Sequence, residues 1–170
     1  MTDSPDALSI AASIAAQLIQ HYESCRLVPY ADPGGIPTIG WGNTRYQDGT
    51  AVALADAPLT QDQADSLFLF WLQDFMSDVI IDMGPRGEPS EVAAFTSLAY
   101  NVGAENFLIS SALREFRAGN KAAAGLDVEL WDRSGGQVLK GLRRRRRAEH
   151  LVFDGMGVAA AVAQAEQDFP

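Results

Sequence analysis

At 170 residues, with 47% hydrophobic and 21% charged positions, the chain can bury a full core and is neither disordered nor fibrous. Its formal net charge of −9 argues against binding nucleic acid or an anionic membrane through its overall field. The single cysteine, Cys25, cannot form an intramolecular disulfide, so the fold must hold without an oxidising compartment, and a small buried hydrophobe is its expected role.

The first segment reads as an amphipathic helix. Ser4 is its expected N-cap, Pro5 its first position, and Asp6 complements the dipole. Leu8, Ala11, Ala15, Leu18 and Tyr22 recur at helical spacing, and Pro29 lies beyond an expected end near Glu23. Leu8–Ile19 is apolar but short, broken by Ser9, Ser13 and Gln17, and preceded by Asp3 and Asp6 rather than basic residues. It reads as neither signal peptide nor membrane span. Synthesis in the cytoplasm without stable membrane insertion is the expectation.

From Leu27 to Thr44 the texture changes to short β-prone runs punctuated by Pro29, Pro33, Gly34, Gly35, Pro37, Gly40 and Gly42. Asp32-Pro33-Gly34-Gly35 is the expected hairpin turn. Residues 45–58 read as loop, with a weak edge strand. Thr60 and Gln63 form a capping box that opens a long helix towards Met83. Its middle, Phe68–Leu72, is apolar on every side, which predicts burial between two lobes. Ser90 is expected to cap a helix through Val102, with shorter helices over 110–118, 120–131, 137–153 and 157–168. The fold class that results is α+β, in one domain of two lobes. A small β-containing lobe (24–58) and a larger helical lobe (84–170 with 4–22) are joined by the 60–83 helix.

Glu23 and Asp32 are nine positions apart, and Thr38 follows six later. A helix ending at Glu23, followed by a hairpin, can return Asp32 and Thr38 towards the Glu23 carboxyl. Two carboxyl groups across a cleft are what glycoside hydrolysis needs, one to protonate the leaving oxygen and one to activate water or stabilise positive charge. Spacing alone is a weak signal, since most such pairs are solvated surface.

The segment from Glu23 through Asp32-Pro-Gly-Gly-Ile-Pro-Thr38 to Ile39-Gly-Trp-Gly-Asn43-Thr44 resembles the active-site signature of phage-type lysozymes, the endolysin family of glycoside hydrolases. Ala94–Gly103 resembles that family's central-helix motif. Trp131, then Gly135–Leu142 leading into Arg145-Arg146-x-x-Glu149, resembles its Gly-Leu-x-x-Arg-Arg-x-x-Glu motif. The resemblance covers roughly residues 8–154 and implies a lysozyme-like fold. It also implies hydrolysis of the β-1,4 bond between N-acetylmuramic acid and N-acetylglucosamine in peptidoglycan. Glu23 would be the general acid, with Asp32 and Thr38 holding a water. Inversion is implied, for which the two carboxyl groups stand about 6.5–9.5 Å apart. Thr44, Asn101 and Ser110 match positions lining the saccharide cleft, and Tyr100, like Trp41, reads either as a ring that stacks on sugars or as core. No cofactor or metal is implied. A monomer is expected, dependent on a holin-type pore to reach the periplasm and wall of the host bacterium.

Two readings stand for the run Arg143–Arg147, which holds five of the 13 basic residues. Successive helical residues step by 100°, so the run cannot form one basic face, and a solvated, partly ion-paired helix is expected. By the family motif, Arg145 would instead reach the cleft and pair with Glu23. That arrangement raises a conflict, because a neighbouring arginine lowers a carboxyl's pKa and a general acid must hold its proton. Asn43 stands where the family usually has His, which implies loss of a lobe-stabilising ion pair. Trp131 reads as core, and His21 and His150 as surface residues. Outside the arginine run, eight basic residues face 22 acids, so action on a thin, Gram-negative-type wall without tight adsorption is expected. Three other functions are weighed: a lytic transglycosylase on the same substrate, a non-catalytic glycan-binding module, and nucleic-acid binding. The pairing of Asp32 with Thr38 argues against the first, and the presence of all three catalytic residue types against the second.

Overall fold

The computed structural model describes residues 6–170, so Ser4 and Pro5 lie outside the described residues. Helix α1 (Ala7–Tyr22) is capped by Asp6, whose carboxylate accepts from the Ser9 amide at 2.7 Å. Ala11, Ala15, Leu18 and Ile19 form its buried stripe. The helix ends where its pattern ends: the Glu23 amide donates to the Ile19 carbonyl at 2.9 Å while Glu23 itself turns extended.

Strands β1 (Arg26–Ala31) and β2 (Pro37–Gly40) form an antiparallel hairpin pairing Tyr30 with Thr38 and Ala31 with Pro37. The register is irregular between Arg26 and Tyr30, where Pro29 has no amide to donate. Asp32 closes the turn. Its carbonyl accepts from the Gly35 amide at 2.8 Å and its side chain from the Ile36 amide at 2.8 Å, an Asx-type arrangement that suits this residue. Gly35 supplies the φ of +79°. No strand forms over 45–58; an isolated bridge between Arg45 and Ala51 brackets a tight turn instead.

Helix α2 (Gln61–Met83) opens with the expected capping box, in which the Thr60 amide donates to Gln63 and the Gln63 amide to the Thr60 hydroxyl. Its middle corrects the expectation of burial on all sides. Phe68 and Leu72, one turn apart, are buried, whereas Leu69 and Phe70 on the opposite face are exposed. Helix α3 (Pro89–Val102) starts one residue before the expected cap. Glu88 is the N-cap and Pro89 takes the first helical position, so Ser90 lies inside the helix. Residues 91–99 of α3 are all buried, with α1, α2 and the penultimate helix packed around them.

Short helices α4 (Ala104–Leu108), α5 (Ser111–Arg117) and α6 (Lys121–Val128) follow. Residues 137–139 are not helical as expected. Gln137–Val138 is strand β4, which pairs with β3 (Arg133–Ser134) across Gly135 and Gly136, both at positive φ. Helices α7 (Lys140–Phe153) and α8 (Val158–Asp168) complete the chain. The arginine run holds α8 down. Arg147 pairs with Asp168 at 2.7 Å, Arg144 donates to the Phe169 carbonyl at 2.7 Å, and the Arg143 guanidinium lies 4.3 Å from the Phe169 ring centroid.

Phe95 on α3 anchors the core, with its ring centroid 5.2 Å from Phe107, 5.6 Å from Phe116 and 5.0 Å from Phe153. Two expectations about single residues are overturned. Cys25 is half-exposed beside Gln61 rather than buried. His150 is buried rather than on the surface, with Nδ1 2.5 Å from a Glu129 carboxylate oxygen. Its ring packs so closely on α6 that a Cβ on Gly125 would lie 2.7 Å from His150 Cδ2 and 3.3 Å from Phe153. Gly125→Ala is therefore expected to lower unfolding free energy by about 1–3 kcal/mol, as overpacking does. Urea denaturation of the two proteins measures it, and an unchanged midpoint would contradict this packing.

Candidate active site

The cleft of about 720 Å³ between the hairpin and the helical lobe is lined by Glu23, Tyr30, Asp32 and Thr38 from one end of the chain and by Tyr100 and Asn101 from α3, with Thr44, Arg45, Trp71 and Phe75 also on its wall. Each candidate arrives by a local rule. Glu23 is the residue at which α1 stops, Asp32 is locked into the hairpin turn, and Thr38 faces Tyr30 across the ladder. The three residues thus share one cleft.

Glu23 Oε1 accepts from Arg145 at 2.5 Å. Among the described residues Oε2 has no hydrogen-bond partner, and it lies against Gly42. A Cβ on Gly42 would sit 3.4 Å from Oε2, and its φ of +88° favours glycine independently. Asp32 spends one carboxylate oxygen on the Ile36 amide, and the other has no hydrogen-bond partner among the described residues. The Thr38 hydroxyl, 3% exposed, donates to the Ile36 carbonyl at 2.9 Å. Its proton is therefore engaged, and towards the cleft it offers lone pairs.

Arg145 and Arg146 are 4% and 0% exposed, which overturns the solvated reading for these two, whereas Arg143 is exposed and Arg144 and Arg147 are half-exposed. Glu149, fully buried, receives both on one oxygen: Arg145 donates through Nε at 3.2 Å and Arg146 through Nη2 at 2.8 Å. Ser97 on α3 donates to the same carboxylate at 2.7 Å. Burial works against the Arg145 charge, but Glu149 and Glu23 together outweigh it and hold its pKa above the usual arginine value. For Arg146 burial wins over Glu149, bringing it down to about 10, which still leaves it charged at neutral pH.

Tyr100 ties the two lobes. Its hydroxyl donates to the Trp41 carbonyl at 2.9 Å and accepts from the Asn43 amide at 3.2 Å. Burial, then the nearby Glu23 charge, drives its pKa well above the usual value, so it remains a neutral donor. Asn43, standing where the family usually has His, therefore joins a neutral link between the lobes. Thr44 and Asn101 are exposed on the cleft wall. Ser110 is the exception among the candidates: it caps α5 by accepting from the Leu113 amide, is buried, and does not line the cleft. Tyr30 and Ser97 are site residues to which the sequence reading gave no role, and Glu149 entered it only as the last residue of a motif. Alternation along the hairpin could have found Tyr30, but no local pattern marks Ser97. Trp131 packs at the edge of the core as expected. Among the described residues no helix is long and apolar enough to cross a membrane, and no three His, Cys, Asp or Glu converge as a metal site.

The profile described as phage lysozyme matches residues 20–149. The endolysin of Salmonella phage P22 is 33% identical over 138 residues, covering 78% of this chain and 92% of that protein. The endolysin of Bacillus phage PZA is 30% identical over 81% of this chain, which spans only 52% of that longer protein. Among solved structures, an endolysin from Escherichia coli O157:H7 phage FAHEc1 superposes with a TM-score of 0.73 at 26% identity, covering 90% of this chain and 96% of that one. The profile takes in every cleft residue named above as well as Arg145 and Glu149, and on that match the chain belongs to the phage lysozyme family.

Proposed function

We propose that this protein is an endolysin that hydrolyses the β-1,4 bond between N-acetylmuramic acid and N-acetylglucosamine in bacterial peptidoglycan. The observation that carries this reading is the meeting of Glu23, Asp32 and Thr38 in one cleft, with Glu23 Oε2 and one Asp32 oxygen both unspent. Glu23 donates a proton from Oε2 to the glycosidic oxygen as the bond to the anomeric carbon breaks. A water held between Asp32 and Thr38 attacks the opposite face and gives its proton to Asp32. Thr38 suits this task because its own proton is engaged by Ile36. It must accept from the water, which leaves a water lone pair free to aim at carbon. The anomeric configuration inverts. Thr44, Tyr100 and Asn101 hold sugar hydroxyl and acetamido groups along the cleft, and Arg145 orients the Glu23 carboxyl.

The protein acts as a monomer on the glycan without cofactor. It is made in the cytoplasm and reaches the wall through a holin-type pore. Mass spectrometry of muropeptides released from purified peptidoglycan tests the chemistry. Products ending in reducing N-acetylmuramic acid are expected, whereas anhydro ends would identify a transglycosylase. Glycan that is bound but not cut would identify a binding module.

A further inference from the structure

Glu149 has no part in the reaction as described, yet it is the most buried acid near the site and sits one contact behind the acid Glu23. We propose that Glu149 is a positioning residue for the reaction: by sharing the Arg145 guanidinium with Glu23, it aims that guanidinium at Oε1 and takes up much of its charge. This rests on the assignment of Glu23 as general acid.

The geometry carries the inference. Arg145 donates through Nη1 to Glu23 Oε1, through Nε to Glu149 Oε1 at 3.2 Å, and through Nη2 to the Ser97 carbonyl at 3.4 Å. Three contacts on different nitrogens leave a planar guanidinium little freedom to turn. Glu149 is itself fixed by the Ser97 hydroxyl and by Arg146, so the chain from α3 through Glu149 and Arg145 to Glu23 is buried until its last member. An arginine that faced Glu23 alone would favour the ionised carboxylate, the form useless to a general acid. A second carboxylate on the same guanidinium relieves that pull, which answers the conflict raised by the arginine at this position. Consistent with this, Glu149 and Glu23 both hold the Arg145 charge in place against its burial.

The other groups facing this network are Tyr22 at the end of α1, Tyr30 and Asp32 on the hairpin, Tyr100 on α3 and Arg146 on α7. The tyrosines are neutral over the working range: burial and the nearby Glu149 and Glu23 charges raise them, Tyr22 to about 12. Arg146 stays charged over the same range. A general acid works only in its protonated form, so activity falls on the alkaline side of the profile as that proton is lost.

The test is the pH profile of kcat beside a carbon-13 NMR titration of the Glu23 carboxyl, in the wild type and in Glu149→Gln. Loss of the Glu149 charge leaves Arg145 wholly to Glu23. The alkaline limb of kcat and the Glu23 titration should therefore move together to lower pH by about one unit. Glu149→Gln also leaves Arg146 without its partner and can fail to fold, so Arg146→Met/Glu149→Leu, which removes the buried pair as a whole, is measured in parallel; a smaller shift in the same direction is expected, because the Arg146 charge that also acts on Glu23 is lost with it. A folded variant whose Glu23 titration and alkaline limb stay in place, or move upward, would overturn the proposal and leave Glu149 as a brace for Arg146. The titration does not depend on turnover. If the wild type fails to cut glycan, the general-acid assignment falls while the electrostatic link is still read from the NMR shift.

Discussion

Glu23→Gln is expected to lower glycan hydrolysis by about 10²–10⁴-fold, the range associated with losing a general acid. The amide keeps the shape of the side chain and an acceptor oxygen for Arg145, so the cleft stays formed. What disappears is the transferable proton on the side facing the cleft. Arg145 keeps its bond to Glu149, so the substitution does not strand a buried cation, and the melting temperature should change little. Rates of dye release from labelled peptidoglycan, measured beside thermal unfolding of the same preparations, check both halves. A variant within a few fold of wild type would remove Glu23 from the role assigned to it.

Phe95→Ala carries the largest expected effect on stability, about 3–5 kcal/mol. Phe95 is fully buried and meets three other phenylalanines drawn from α4, α5 and α7. Truncating it removes the one ring that all three share, and no neighbour can collapse into the space without uncovering another helix. For a domain of this size the corresponding fall in Tm is on the order of 10 °C. Urea unfolding should show a lower midpoint with the same slope. A loss below about 1 kcal/mol would mean that the helical lobe repacks around the void, contrary to the close packing typical of protein interiors.

Where a feature depends on neighbours in sequence, the chain announces it. The Thr60–Gln63 cap, the stop at Glu23 and the Asp32–Gly35 turn are each decided within four or five residues, the cap and the turn by side chains reaching nearby backbone. The hairpin of β3 and β4 is also local, but it is too short for alternation to show, and Gly135-Gly136 reads equally well as a helix start. The placement of Ser110 escapes for another reason, since the same hydroxyl suits a sugar contact and an N-cap, and only the position of α5 separates the two. The arginine run is misread because its fate depends on partners far along the chain. Arg145 meets a carboxylate 122 positions away, and periodicity carries no record of such a contact. Charged residues next to one another ordinarily imply solvent. Here two of them are desolvated because Glu149 is folded in with them, and the motif spacing Arg-Arg-x-x-Glu is the one sign of it.

The half-exposed Cys25 gives the molecule a property that its chemistry never uses. It is the chain's one thiol, two residues from Glu23 and beside Gln61 at the start of α2. A maleimide fluorophore or nitroxide spin label would therefore attach at a single position in the unmutated protein. A label there reports from the junction where the hairpin leaves α1, so opening and closing of the cleft around a glycan strand could be followed by its emission or line shape in real time.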